Sequence, residues 1–179
     1  TVTLSGATEA SPAEGDIWYN SGKFHLGTSQ TFAGAWSSGG NLSVAKYGPA
    51  GAGTQTAGLC IGGYYGGPTT TTEEYDGTSW SGGGNMATAR HYLGGCGTQD
   101  AALAIGGWTG SYASSCEEYN GASWSAGGSL AAAKIYLAGA GTQTAGLGFG
   151  GNPGYVTTTA EYNGSSWTAG NALNLGRTW

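Results

Sequence analysis

The chain has 179 residues, of which 38 are glycine, 8% are charged and 12% are aromatic, with a net charge of −5. Five basic residues are too few for the clustered cationic surface that phosphate binding needs, which argues against nucleic acid as a partner. No run of about 18 apolar residues occurs, so no membrane-spanning helix is expected, and the aromatic content excludes a disordered linker.

Taken in chain order, residues 1–35 form an irregular N-terminal segment or partial repeat with one clear signal. In EGDIWYNSGKFHLG, Glu14 to Gly27, two alternating runs, Ile17 to Asn20 and Lys23 to Leu26, flank Ser21-Gly22 and predict a hairpin. From residue 36 to 179 the sequence repeats. Trp36, Trp80, Trp124 and Trp167 recur about every 44 residues, as do Gly-Thr-Gln at Gly53, Gly97 and Gly141 and the pairs Gly62-Gly63, Gly106-Gly107 and Gly150-Gly151. The units run over about 36–80, 81–124 and 125–167, with a partial unit at 168–179.

Each unit opens with a very small predicted strand: YGPAGAG, YLGGCG and YLAGAG. The second strand alternates. Leu59, Ile61, Leu103, Ile105, Leu147 and Phe149 fall on one face; Gly58, Cys60, Ala102, Ala104, Gly146 and Gly148 fall on the other. A face that small lets a neighbouring sheet approach closely. Asp76-Gly77, Asn120-Gly121 and Asn163-Gly164 predict type I′ hairpins with positive φ at both positions, each ahead of the recurring Trp. The result is four short strands per unit in a meander: an all-β chain with no helical stripe.

The run from Ala89 to Trp124 resembles a kelch repeat. It carries the double glycine closing the second strand, the Glu-Tyr of the third and the Trp of the fourth, and NMATAR (Asn85 to Arg90) is similar to the segment leading into the next blade. The resemblance covers about Trp36 to Trp179 and implies a β-propeller of four-stranded blades. It departs from the family in the very small first strand and in the Gly-rich turn. GDIWYN resembles a segment of bacteriophage tail-fibre and head-appendage proteins. The run from Ala35 to Leu59 is similar to Gly-rich repeats in predicted virion proteins of marine phages. Three whole units leave the closure open: the ends join into a fourth blade, complete one another between subunits, or belong to a larger propeller.

The charges are in phase with the repeat. Lys46, Arg90, Lys134 and Arg177 recur once per unit, as do Glu74, Glu118 and Glu161. A catalytic residue is needed once, not once per unit, so these are expected to brace adjacent blades by pairing with a Glu or with strand-end carbonyls; a channel-lining ring of cations is the alternative. His25 and His91 are scattered, and neither a metal set nor a Ser-His-Asp arrangement is suggested. No enzyme activity, cofactor or metal is expected. Cys60, Cys96 and Cys116 align with Ala, Gly or Thr in the other units and read as small core residues rather than a disulfide framework.

The units differ most in the loop after each double glycine, where Tyr64, Tyr65, Trp108, Tyr112 and Tyr155 stand among glycines and hydroxyls. Such rings suit stacking on a sugar or docking a protein, or else packing against the next blade. The expected role is a structural virion appendage or capsid-decorating protein. It would be a homo-oligomer that adheres to host glycans or to other virion or surface proteins, with no membrane insertion. A secreted or cell-surface lectin or adhesin is the alternative.

Overall fold

A computed structural model describes the backbone of Ile17–Asn20 and Lys23–Leu26 and all of residues 37–178. Trp36 and the side chain of His25 lie outside the described residues. Two compact units are present, Thr1–Ser38 and Gly39–Trp179. In the first, β1 (Ile17–Asn20) and β2 (Lys23–Leu26) pair antiparallel, Ile17 opposite Leu26 and Asn20 opposite Lys23.

The second unit holds three four-stranded antiparallel meanders and, among the described residues, no helix. Sheet 1 contains β3 (Ala50–Thr54), β4 (Ala57–Ile61), β5 (Thr72–Tyr75) and β6 (Trp80–Gly82). Sheet 2 contains β7 (Gly94–Gly97), β8 (Ala102–Ile105), β9 (Cys116–Tyr119) and β10 (Trp124–Ala126). Sheet 3 contains β11 (Ala138–Thr142), β12 (Ala145–Phe149), β13 (Thr159–Tyr162) and β14 (Trp167–Ala169). Strand order follows chain order in each, so every connection is local.

Sheets pack in sequence, and small residues make the closeness possible. The first strands β3, β7 and β11 lie side by side. A Cβ added at Gly95 would stand 2.9 Å from the Gly51 carbonyl oxygen, and one at Gly139 would stand 2.6 Å from that of Gly95. Glycine is required there by backbone-on-backbone approach. Behind this seam, the bulky face of one sheet meets the small face of the next. Leu59 and Ile61 of sheet 1 form one buried cluster with Ala102, Ala104 and Tyr119 of sheet 2; Leu103 and Ile105 of sheet 2 form another with Leu137 and Tyr162 of sheet 3. The close approach expected on the small face of β4, β8 and β12 is met in full by sheet 2, where all of Ala102–Ile105 is buried.

One local expectation fails. The Asx-Gly turns are not two-residue type I′ hairpins. Tyr75 pairs with Trp80, leaving four residues in the loop, and only Gly77, at φ 93°, is left-handed. The Asp76 carboxylate accepts the N–H groups of Thr78 (2.8 Å) and Ser79 (2.7 Å), and Asn120 and Asn163 repeat the arrangement. A short polar side chain capping its own loop wins over the pure backbone turn because it satisfies two N–H groups that would face solvent.

Candidate functional site

Between consecutive sheets runs one connecting segment, and the in-phase cation sits on it. Arg90 is fully buried. Its backbone belongs to sheet 1: its N–H donates to Thr69 (3.1 Å) and its carbonyl accepts from Gly63 (3.0 Å). Its guanidinium belongs to sheet 2, donating to the carbonyls of Gly106 and Ser115 at 2.9 Å and to Glu117 Oε1 at 2.7 Å. Lys134 repeats this between sheets 2 and 3, with Nζ donating to Gly150 (3.2 Å) and to Thr158. Lys46 lies 2.8 Å from Glu73 with its side chain 2% exposed, and Arg177 is exposed.

The carboxylates that meet cations are therefore Glu73 and Glu117, one position before those singled out by phase. Sheet 3 has Ala160 at that place, so Lys134 makes only neutral bonds. Glu74 and Glu118 do join sheets, but through tyrosine: Tyr119 Oη donates to Glu74 and Tyr162 Oη to Glu118. Glu161 is exposed. Phase marked residues that join sheets without revealing which partner each would find, since strand neighbours differing by one residue point to opposite faces.

The Gln of the recurring Gly-Thr-Gln is a clamp between sheets. Gln99 Nε2 donates to the carbonyls of Gly58 (3.0 Å) and Tyr75 (2.8 Å) across the joint, and Gln143 does the same to Ala102 and Tyr119. Its three-fold recurrence was the available signal.

Aromatic side chains gather at the loop end of the joints. Tyr64 stacks on Tyr47 with centroids 4.9 Å apart and meets His91 edge-on at 5.1 Å. Tyr92 lies 4.4 Å from His91 and 4.2 Å from Tyr136. Trp108 is half-buried, bridged to His91 through the backbone and set edge-on to Tyr112, whose hydroxyl donates to Asn152 (3.1 Å). Tyr65 and Tyr155 project instead, 65% and 79% exposed. The five loop aromatics thus divide into two that project and three that are tied into the scaffold.

Tyr92 and Tyr136 hold left-handed φ of 55° and 56°, and Gly48 holds 62°. Their backbones form a chain, Tyr136 N–H to Tyr92 carbonyl and Tyr92 N–H to Gly48 carbonyl. The structural equivalent of Tyr92 and Tyr136 is therefore Gly48, not Tyr47, while the small strands themselves keep the 44-residue phase, starting at Ala50, Gly94 and Ala138. Non-glycine residues pay strain in this region. Here the rings are held by packing: Tyr92 lies over Gly48, where an added Cβ would come within 2.6 Å of it.

Burial raises the Tyr136 hydroxyl to about 12, helped by its bond with Tyr92. Burial lowers the His91 imidazole, whose Nδ1 has no hydrogen-bond partner. At neutral pH the cluster is consequently uncharged, and it can stack and exchange hydroxyl hydrogen bonds. Burial raises all three thiols, Cys96 to about 11. Cys60, Cys96 and Cys116 are free and buried. Among the described residues no three His, Cys, Asp or Glu side chains gather as a metal set. Comparison with protein-family models and with curated proteins found no match.

Proposed function

We propose that the chain is a propeller-like structural module of a virion appendage, whose stacked sheets are scaffold and whose projecting loop aromatics adhere to a glycan or a partner protein. The observation that carries this reading is a division of labour. Residues that recur in phase, such as Arg90, Gln99 and Tyr119, are consumed in holding sheets together. Tyr65 and Tyr155, on loops that follow the same strand in different units, are 65% and 79% exposed. Large rings left in water on glycine-rich loops have no core to stabilise, and a ring face is suited to sugar C–H groups or to an interface.

The test separates the two sorts of aromatic. Tyr65→Ser with Tyr155→Ser should abolish binding on a glycan array or to host cells while leaving the melting temperature nearly unchanged. Trp108→Ser should lower the melting temperature. Retained binding in the double variant would overturn the adhesive role and leave an architectural one.

A further inference from the structure

The three sheets present equivalent faces that are not equivalently covered. Leu59 and Ile61 are buried under sheet 2, and Leu103 and Ile105 under sheet 3, whereas Leu147 and Phe149 of sheet 3 are half-exposed. A hollow of about 380 Å³ lies beside Phe149, between Tyr136, Ala138 and Gly151 on one side and Gly176 and Arg177 on the other. At the opposite end, the small face of sheet 1 is less covered than its equivalents. Tyr75 is half-exposed where Tyr119 and Tyr162 are buried, and Gln55 is exposed where Gln99 and Gln143 are clamps.

These two faces match by the rules that join the sheets already in contact. Sheet 3 offers apolar knobs and acceptors: Leu147, Phe149, the exposed Glu161 carboxylate, and the carbonyls of Gly146 and Tyr162. Those carbonyls stand in phase with the acceptors of Gln99 and Gln143. Sheet 1 offers the recess at Gly58 and Cys60, with the donors Gln55 and Tyr75.

Something occupies part of the position already. Each joint holds one connecting segment, fixed to the preceding sheet by three backbone bonds. Between sheets 1 and 2 these are Met86 N–H to Thr70, Arg90 N–H to Thr69 and Gly63 N–H to Arg90; on sheet 3 they are Leu173 N–H to Thr157 (2.8 Å), Arg177 N–H to Val156 (3.2 Å) and Gly151 N–H to Arg177 (2.8 Å). Residues 171–178 thus take the place of a connecting segment, but with Arg177 exposed and Leu175 69% exposed. Sheet 1 carries its own segment, fixed by Ser43 N–H on Glu73 (2.7 Å) and by the Lys46–Glu73 pair. Each described joint holds a single such segment.

We propose that the open face of sheet 3 receives sheet 1 of a second copy of this chain, head to tail, and that residues 171–178 are a built-in competitor for that position. In the joined state Leu42 and Lys46 of the incoming copy take the three backbone bonds that Leu173 and Arg177 hold. Gln55 clamps Gly146 and Tyr162, and Tyr75 donates to Glu161. This inference rests on the sheet stacking and not on the adhesive loops, so it is read by mass rather than by binding to a glycan.

The experiment keeps the full chain and releases the segment. A Cβ at Gly176 would overlap the Tyr155 carbonyl, and proline at 173 removes the N–H given to Thr157. Gly176→Val with Leu173→Pro should therefore lift the segment away. In sedimentation velocity the released chain should self-associate at least about tenfold more tightly than the wild type. Adding Glu161→Lys or Gln55→Ala should return it to monomer with an unchanged melting temperature. Mixing those two variants should restore a dimer, because one keeps an intact sheet 1 face and the other an intact sheet 3 face. A released chain that stays monomeric, or that associates despite both substitutions, would overturn the proposal. A wild type that associates as tightly as the released chain would overturn the competitor role.

Discussion

Arg90 and Lys134 occupy the same place in successive joints, yet their loss should differ in kind. Removing the guanidinium leaves Glu117, 4% exposed, with only the N–H groups of Ala87 and Thr88 against its charge. A buried charge stripped of its partner costs about 3–5 kcal/mol. Lys134 bonds a carbonyl and the exposed Thr158, both neutral, so Lys134→Ala should cost only about 1 kcal/mol. Urea unfolding of the two variants checks this; equal losses would mean that the Glu117 pair is not what Arg90 supplies. Acid acts on the same joints. The unfolded imidazole takes its proton at the ordinary 6.5, but folded His91 is lowered by burial among Tyr47, Tyr64 and Tyr92, so protons bind the unfolded chain first. Stability is full above pH 6.5 and falls as pH drops through the folded value. Burial alone would raise Glu73, but Lys46 and the Ser43 N–H outweigh it and leave it below its ordinary 4.5, which adds a second loss at lower pH. Melting temperatures should therefore decline in wild type as pH falls below about 6.5, and His91→Phe, which keeps a ring in the cluster without the titration, should flatten that first decline. An unchanged profile would place the loss elsewhere.

The strands themselves were legible because their signals are local. Period-two alternation gave β4, β8 and β12, and the recurring Trp marked the start of β6, β10 and β14. What the pattern could not carry was which neighbour a side chain meets across a joint. Glu73 and Glu74 are adjacent, and only the pleat decides that the first faces Lys46 while the equivalent of the second, Glu118, faces Tyr162. The loop aromatics were legible as a set but not in their division, since Trp108 and Tyr65 follow equally variable glycine pairs and only packing separates them. The Gln clamp was hidden for a different reason: Gly-Thr-Gln reads as turn chemistry, and its target lies about 24 to 41 residues back. A clamp of two neutral bonds should be worth about 1–3 kcal/mol, so Gln99→Ala and Gln143→Ala should lower stability by that amount each, whereas exposed Gln55→Ala should have little effect in the isolated chain. The seam sets a stricter limit. Gly139→Ala forces a Cβ against the Gly95 backbone, which is not a flexible side-chain end, and should cost about 1–3 kcal/mol through separation of β7 and β11. Thermal unfolding of these four variants ranks seam and clamp directly.

At the scale of the whole molecule, three sheets joined only to their neighbours behave as a short one-dimensional array, in which each unit is stabilised by its own contacts and by the joints it shares. Sheet 2 has a joint on both faces; among the described residues sheet 3 has one on its small face, and its bulky face is half-exposed. The bulky positions sharpen the contrast. Leu103 and Ile105 are fully buried, while Leu147 and Phe149, the same positions one unit later, are not. Sheet 3 also lacks a carboxylate for its cation, because Ala160 replaces the Glu that Arg90 and Lys46 find. Local opening follows the number and quality of joints, so unfolding should begin at sheet 3 and reach sheet 2 last. In native-state hydrogen exchange, the amides of Ala102–Ile105 should exchange at least about tenfold more slowly than those of Ala145–Phe149, although both strands are central in identical meanders. Restoring the missing charge pair offers the reverse test: Ala160→Glu places a carboxylate where Lys134 can reach it and should slow exchange across β12 more than across β8. Equal protection in the two strands of the wild-type chain would mean that the unit unfolds all at once, and that the joints, rather than the sheets, are its strongest parts.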